Sequence, residues 1–328
     1  MNLLEIKNLK MDFGKGAAAL RAVDGVSLTI GAGETVCLVG ESGCGKSVTA
    51  LSIARLVSTP PANYIGGEIL LNGQDTLKMS ARELQKIRGG VVSYVFQDPG
   101  ASLNPVFRIG NQIKESLKLH KPEKADDAEV IRLLKLVGIP APESRIKNYP
   151  FEMSGGMQQR VMIAMALASE PKLLVADEPT TALDVTIQDQ ILKLILDLRD
   201  ALAMSVVLVT HDLGVVAATC DRMAVMYAGR IVETGTVTQV FSQPNHAYTR
   251  GLLGSVPRGG TERSQLLSIE GTPPGLLNRP AGCSFHPRCD FATDLCRRDS
   301  PGLQLTAPGH AAACFHSDRV RAEGIAGS

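Results

Sequence analysis

One run of residues, Gly40-Glu41-Ser42-Gly43-Cys44-Gly45-Lys46-Ser47, carries the most specific chemistry in the chain. Its pattern, G-x-x-x-x-G-K-S/T, is that of a loop that wraps phosphate. It lies between a predicted strand, Thr35–Val39, and a predicted helix, Lys46–Leu56, which is the context the pattern demands. The glycines let backbone N–H groups close around phosphate oxygens, and a helix N-terminus adds a favourable dipole. Lys46 is then placed to neutralise β- and γ-phosphates, and the Ser47 hydroxyl to ligate Mg²⁺. A second acidic element, Asp177-Glu178, ends the apolar run Leu173–Ala176. Asp177 is suited to hold Mg²⁺ through water. Glu178 can orient or deprotonate an attacking water, help worth about 10²–10⁴-fold. Gln97 follows the apolar run Val91–Phe96, and His211 follows Val206–Thr210. Both are expected at carboxyl ends of strands, where open α/β sheets bind ligands. Gln97 offers an amide oxygen to Mg²⁺ or water, and His211 a donor to the γ-phosphate.

Ser154-Gly155-Gly156 opens a second helix, Arg160–Ala168 and the residues before it. Ser154 is a good N-cap, while each glycine inside a helix costs about 1 kcal/mol relative to Ala. That cost is intelligible where backbone must approach an anion. Either the chain binds two anions, or two chains share one nucleotide. Cys44, beside a helix N-terminus, is expected to have a lowered thiol pKa, so that alkylation inhibits and nucleotide protects; the plain alternative is a merely small side chain. Cys283, Cys289, Cys296 and Cys314 crowd the end of the chain among Pro280, Pro287, Pro301 and Pro308. In a reducing compartment such a cluster marks a metal site more often than a disulfide framework, and a metal would supply folding energy there. The intervals of five, six and seventeen residues match neither paired zinc ligands nor the common iron–sulfur runs. Spacing therefore points to a four-thiolate site without naming its metal; His286, His310 and His316 are less economical ligands, and free cysteines are the plain alternative.

The elements that must position these groups alternate. Residues 4–12 and 23–30 read as strands, 67–97 as short strands around a polar helix, and Asp98 to about Met165 as helical with breaks at Pro140, Pro142 and Pro150. Leu173–Ala176 and Val206–Val209 read as buried parallel strands. Between them Ile187, Ile191, Leu194, Leu198 and Leu202 recur at helical spacing. An α/β layered fold follows. With 328 residues, at about 150 per domain, two domains are expected. A net charge of +1, from 34 basic and 33 acidic residues, excludes a broad basic field for nucleic acid. Apolar residues at 44% suffice for a core, yet no apolar run approaches the roughly 20 residues of a membrane span. Met1–Glu5 show no basic region followed by an apolar stretch, so a soluble cytoplasmic protein is expected. After about Gly235 the composition shifts to Pro, Gly and Cys, as in a separate appendage.

Taken in order, the phosphate loop, Gln97, Ser154-Gly155-Gly156, Asp177-Glu178, Thr181-Ala182-Leu183-Asp184 and His211 resemble the ATP-binding-cassette ATPases over about residues 1–240. The resemblance implies an α/β P-loop NTPase core with an antiparallel β subdomain and a helical subdomain (about 98–165). Together these make an ATPase domain, 1–235, followed by a small Cys-rich C-terminal domain, 236–328. It implies ATP held head to tail between two subunits. Gly40, Ser42, Gly43, Cys44, Gly45, Lys46, Ser47 and Val48 of one would face Ser154, Gly155 and Gly156 of the other. Asp184 would lie at the seam, and Phe13 where an aromatic stacks on adenine. Where the usual signature reads Leu-Ser-Gly-Gly-Gln, this chain has Met153 and Met157 in place of the Leu and the Gln; Met157 removes a side-chain amide, leaving backbone and Ser154 for the phosphate.

Asn245-His246-Ala247-Tyr248-Thr249, Arg279-Pro280 and the four cysteines resemble the C-terminal extension of dipeptide/oligopeptide importer ATPases, although Ala247 stands where Pro is usual. This implies a 4Fe-4S cluster on Cys283, Cys289, Cys296 and Cys314, with Zn²⁺ as the alternative. It implies an ATP-hydrolysing subunit on the cytoplasmic face of the bacterial inner membrane. Its partners would be two membrane permease subunits, a second ATPase subunit (a paralogue or a copy) and an extracytoplasmic peptide-binding protein, with no nucleic acid. Residues Asp98–Tyr149 would receive the permease loops. The rival readings are a soluble cassette ATPase acting on nucleic acid or ribosomes, a redox sensor, and an importer of glutathione or a metal chelate.

Overall fold

The computed structural model describes residues 2–16, 19–181, 183–256 and 269–324. The strands are β1 (Asn2–Phe13), β2 (Leu20–Gly31), β3 (Thr35–Val39), β4 (Ala62–Leu71), β5 (Gln74–Asp75) and β6 (Val92–Val95). They continue with β7 (Leu173–Asp177), β8 (Ser205–Thr210), β9 (Arg222–Tyr227), β10 (Arg230–Thr236), β11 (Gln304–Ala307) and β12 (His310–Ala312). The chain forms two compact units. One comprises Met1–Leu3, Ile30–Glu34 and Asn72–Leu208; the other comprises Leu4–Thr29, Thr35–Leu71 and Val209–Ser328.

In the second unit the burial of β1 changes phase, from Leu4 and Ile6 to Leu9 and Met11. An extra residue in a strand does this, and the antiparallel pairing of β1 with β4 shifts register between Lys7 and Lys10. β2 lies on the other side of β1. β3 is buried at every residue and runs parallel to β9, from Val36 opposite Arg222 to Val39 opposite Val225. Such continuous burial marks a central parallel strand rather than a half-solvated one. β10 pairs antiparallel with β9, β12 with β10, and β11 with β12. The residues after Gly235 supply more apolar material than their composition suggests. Phe285, Phe291 and Val320 share one core with Val39, Val225, Tyr227 and Tyr248.

In the first unit β6 runs parallel to β7, Val92 opposite Leu173, and the Ser205–Leu208 part of β8 lies on the other side of β7. The helical region is a packed set: Ile109–His120, Asp127–Leu136 and Gly155–Leu167 bury Ile109, Ile113 and Leu117, Val130, Leu133 and Leu134, and Val161 and Ile163. Of the prolines read as breaks, Pro142 and Pro150 open short helical turns, where proline is tolerated. Helix Val185–Leu202 buries Ile191, Leu192, Ile195 and Leu198, whereas Leu202, the last member of the expected stripe, is exposed. Among the described residues no helix is long and apolar enough to cross a membrane.

Candidate nucleotide site

Two glycines make the loop after β3 possible. Gly40 has φ +154°, and a Cβ there would stand 2.3 Å from the Met226 carbonyl oxygen. Gly45, the residue that caps helix Lys46–Ser52, has φ +104°, and its Cβ would meet the Ala22 carbonyl at 2.9 Å. The cap residue, a glycine, has no side chain to accept from the first turn of that helix, and no acidic residue lies in that turn; the positive end of a helix dipole favours an anion there. Ser154, Asp184 and Asp212 do cap their helices with side-chain oxygens. The Lys46 ammonium turns into the loop, donating to the carbonyls of Gly40 (2.7 Å) and Glu41 (3.1 Å). Ser42, Gly43 and Ser47 are exposed, and Val48 is half-buried. Cys44 departs from expectation. It is only 3% exposed, and burial pushes its thiol up, against a smaller opposing pull from the charge of Lys46. Desolvation of a thiolate outweighs the helix end here.

In the first unit Asp177 ends β7, half-buried, and Glu178 follows in the left-handed region at φ +48°. A non-glycine residue held there is strained, and such strain persists where surrounding contacts over-determine it. The Glu178 carboxylate accepts hydrogen bonds from the Gln97 side-chain amide (3.2 Å) and the Thr181 hydroxyl (2.9 Å). Two residues chosen separately from the sequence thus meet, 81 positions apart. Thr181, not singled out for chemistry, completes the contact. Ser154 accepts from the Met157 N–H at 3.4 Å. Of its two glycines, Gly156 has a packing reason, since a Cβ would stand 2.8 Å from Ile187 Cγ2; at Gly155 the nearest atom is at an ordinary 3.6 Å. Asp184 accepts from the Ile187 N–H at 3.0 Å. Ala182 lies outside the described residues. Phe13 ends β1 opposite Ala62, half-buried, and His211 follows β8, exposed. The phosphate loop, Phe13 and His211 belong to the second unit; Gln97, Ser154–Gly156, Asp177, Glu178 and Asp184 belong to the first.

The metal centre expected at the C-terminal cysteines is corrected. Cys283, Cys289, Cys296 and Cys314 border one small cavity of about 20 Å³ together with Phe285, Phe291 and Phe315. Even so, no group of three or more His, Cys, Asp or Glu side chains among the described residues is arranged to hold a metal ion. Burial pushes the thiols of Cys283 and Cys314 up and that of Cys289 up to about 12. The residues as placed fit neither a 4Fe-4S cluster nor Zn²⁺. Cys283, Cys289 and Cys314 pack as small apolar side chains against the core that holds Phe285 and Phe291.

A phosphate loop between a buried parallel strand and a helix, in a unit that also holds an antiparallel sheet, together with a second unit that holds the helical region, are the features of an ATP-binding-cassette ATPase. The ABC transporter family model matches residues 23–181, and the oligopeptide/dipeptide transporter C-terminal region matches residues 232–296. A dimeric ATP-binding cassette solved in a post-hydrolysis state with ADP and Pi superposes with a TM-score of 0.61 at 28% identity. It covers 71% of this chain and 98% of that one. A probable peptide ABC transporter ATP-binding protein of Sinorhizobium fredii is 50% identical over 97% of this chain and 96% of its own length. The dipeptide transport ATP-binding protein DppD of Bacillus subtilis is 48% identical over 98% and 96%. The chain belongs to the ATP-binding proteins of the dipeptide/oligopeptide ABC transporter family.

Proposed function

We propose that this chain hydrolyses ATP to drive import of di- or oligopeptides through two membrane permease subunits, bound peripherally to the cytoplasmic face of the bacterial inner membrane. The observation that carries this reading is its likeness, from one end to the other, to relatives named for peptide and dipeptide transport. Residues 1–235 act as the ATPase domain and 236–328 as the extension. In the site, the loop Gly40–Val48 holds the phosphates, with Lys46 exchanging the Gly40 and Glu41 carbonyls for phosphate oxygens. Ser47, Gln97 and Asp177 offer hydroxyl, amide and carboxylate oxygens, a hard donor set that fits Mg²⁺; the ion, when bound, offsets charge on the phosphates. Phe13 stacks on adenine. Glu178, held by Gln97 and Thr181, orients a water and takes its proton as the water oxygen bonds to the γ-phosphorus. The bond from that phosphorus to the β,γ-bridging oxygen breaks, leaving ADP and phosphate, and His211 donates to the γ-phosphate oxygens. Ser154, Gly155, Gly156 and Asp184 face the nucleotide of a second ATPase subunit, a paralogue or a copy.

The permease loops dock on the helical region that follows Gln97. Val106 and Phe107 support this: they are 72% and 53% exposed, on a turn pinned by the buried Gln112, which bonds the backbone of Asn104 and Phe107 at 2.9 Å. Exposed apolar side chains on a rigid turn suit a protein partner. The test is ATPase activity of the chain assembled in vesicles with its permeases and second ATPase subunit. Peptide-loaded extracytoplasmic binding protein should stimulate it. Stimulation by glutathione or a chelate with its own binding protein would change the cargo, and stimulation by nucleic acid or ribosomes alone would overturn the reading.

A further inference from the structure

The first variable residue of the phosphate loop, Glu41, is gripped from a distant part of the chain. Its carboxylate forms a two-pronged pair with Arg288, at 2.8 and 3.0 Å, across 247 positions of sequence. Its N–H donates to the Tyr248 hydroxyl at 2.8 Å, and its carbonyl accepts from Lys46. Side chain, N–H and C=O of this one residue are therefore all engaged.

Arg288 is itself firmly set. Its side chain is 6% exposed, and it donates to the carbonyl of Glu270 at 2.9 Å and that of Gly271 at 3.3 Å. It also reaches the Tyr227 hydroxyl at 3.2 Å, and the guanidinium lies over the rings of Tyr227 and Phe285. The Tyr248 ring is fully buried and packs on Tyr227 and Phe285, with centroids 4.6 and 5.4 Å away. Anchors this constrained transmit position, because a planar guanidinium paired at both ends has little freedom left to lose.

We propose that Arg288 and Tyr248 are positioning residues for ATP: the C-terminal extension holds the phosphate loop in its binding shape through Glu41. The inference rests on the reading of Gly40–Ser47 as the phosphate site and gives the extension a part in nucleotide affinity. Neither residue touches the reacting atoms. Their contribution is to remove loop freedom that ATP would otherwise have to freeze on binding.

The experiment measures the KM for MgATP and kcat in the assembled transporter, and MgATP binding and thermal melting of the full-length chain. The variants are Glu41→Ala, Tyr248→Phe, Arg288→Ala, the Glu41→Ala/Arg288→Ala pair, and Lys46→Ala. Glu41→Ala and Arg288→Ala should each raise KM about tenfold, with kcat within about twofold of the parent. Tyr248→Phe should raise KM less, and the double variant should be no worse than the poorer single one. A merely structural role would lower melting and the folded fraction without splitting KM from kcat. Unchanged MgATP affinity in folded Glu41→Ala and Tyr248→Phe, or additive effects in the pair, overturns the inference. Should Arg288→Ala fail to fold, those two loop-side variants decide it. Lys46→Ala separates the two readings: if it binds MgATP normally, the phosphate site itself is misassigned. If it loses ATP while the other variants keep it, only the tether fails.

Discussion

Glu178 sits in a strained backbone conformation with its carboxylate aimed by Gln97 and Thr181. A charge-neutral replacement keeps most of that shape and removes the carboxylate proposed as the proton acceptor. Glu178→Gln should bind MgATP with nearly parental affinity while phosphate release from the assembled transporter falls by about 10²-fold or more; near-normal release would remove Glu178 from the base role. His246 shows a second residue-scale balance. It is 2% exposed, its Nδ1 accepts from the Tyr248 N–H at 3.1 Å, and burial lowers its pKa to about 4. An unfolded histidine takes up its proton near pH 6.5, the folded one only near 4, so the unfolded state binds more protons between those values. Stability is complete above about pH 6.5 and declines as pH falls toward 4, by up to about 3 kcal/mol. Urea titrations across that window should show the slope, and His246→Asn, which keeps a cap acceptor, should flatten it.

At the scale of elements, a short turn is made rigid so that its tip can be apolar and exposed. The Gln112 side chain, on helix Ile109–His120, spans the turn from Asn104 to Phe107 and satisfies its backbone. Replacing Val106 and Phe107 together by Ser should leave MgATP binding and melting of the full chain within experimental error. Co-purification with the permeases should fall severalfold, because burial of such side chains in an interface is worth about 1.5–3 kcal/mol each. Retained co-purification and peptide uptake would place the docking surface elsewhere. Other elements owe their ends to local chemistry. Ser80 and Glu83 form a reciprocal cap on Ala81–Ile87, and Asp184 and Asp212 cap the helices that follow them.

For the whole molecule, the C-terminal residues behave as part of the second unit. Glu233 on β10 is fully buried, and its carboxylate accepts from the N–H groups of Asn245 (2.7 Å) and His246 (2.9 Å) and pairs with His310 on β12 (2.7 Å). With Phe285, Phe291 and Val320 in the core beside Val39 and Tyr227, a chain ending at Gly235 would expose that core. It should fail to melt cooperatively and give little soluble protein, measured beside the full chain by calorimetry. A truncated chain that melts cooperatively near the parental temperature would make the extension a true appendage.

The sequence alone determined the phosphate loop, the acidic strand end, and the alternation of strands and helices. Those depend on residues close together in the chain: glycines where a Cβ would collide, a lysine and a serine at a helix start, and apolar runs of fixed period. The same locality explains the misreadings. The charge of Lys46 and the nearby helix end were visible beside Cys44, but the packing that buries it was not. Four cysteines could be counted, though their arrangement around a small apolar cavity could not. Only the tertiary structure brought Gln97 to Glu178, Glu233 to His310 and Glu41 to Arg288. Each pair spans tens to hundreds of residues, and no propensity or period encodes which distant polar side chains meet once the strands are in register.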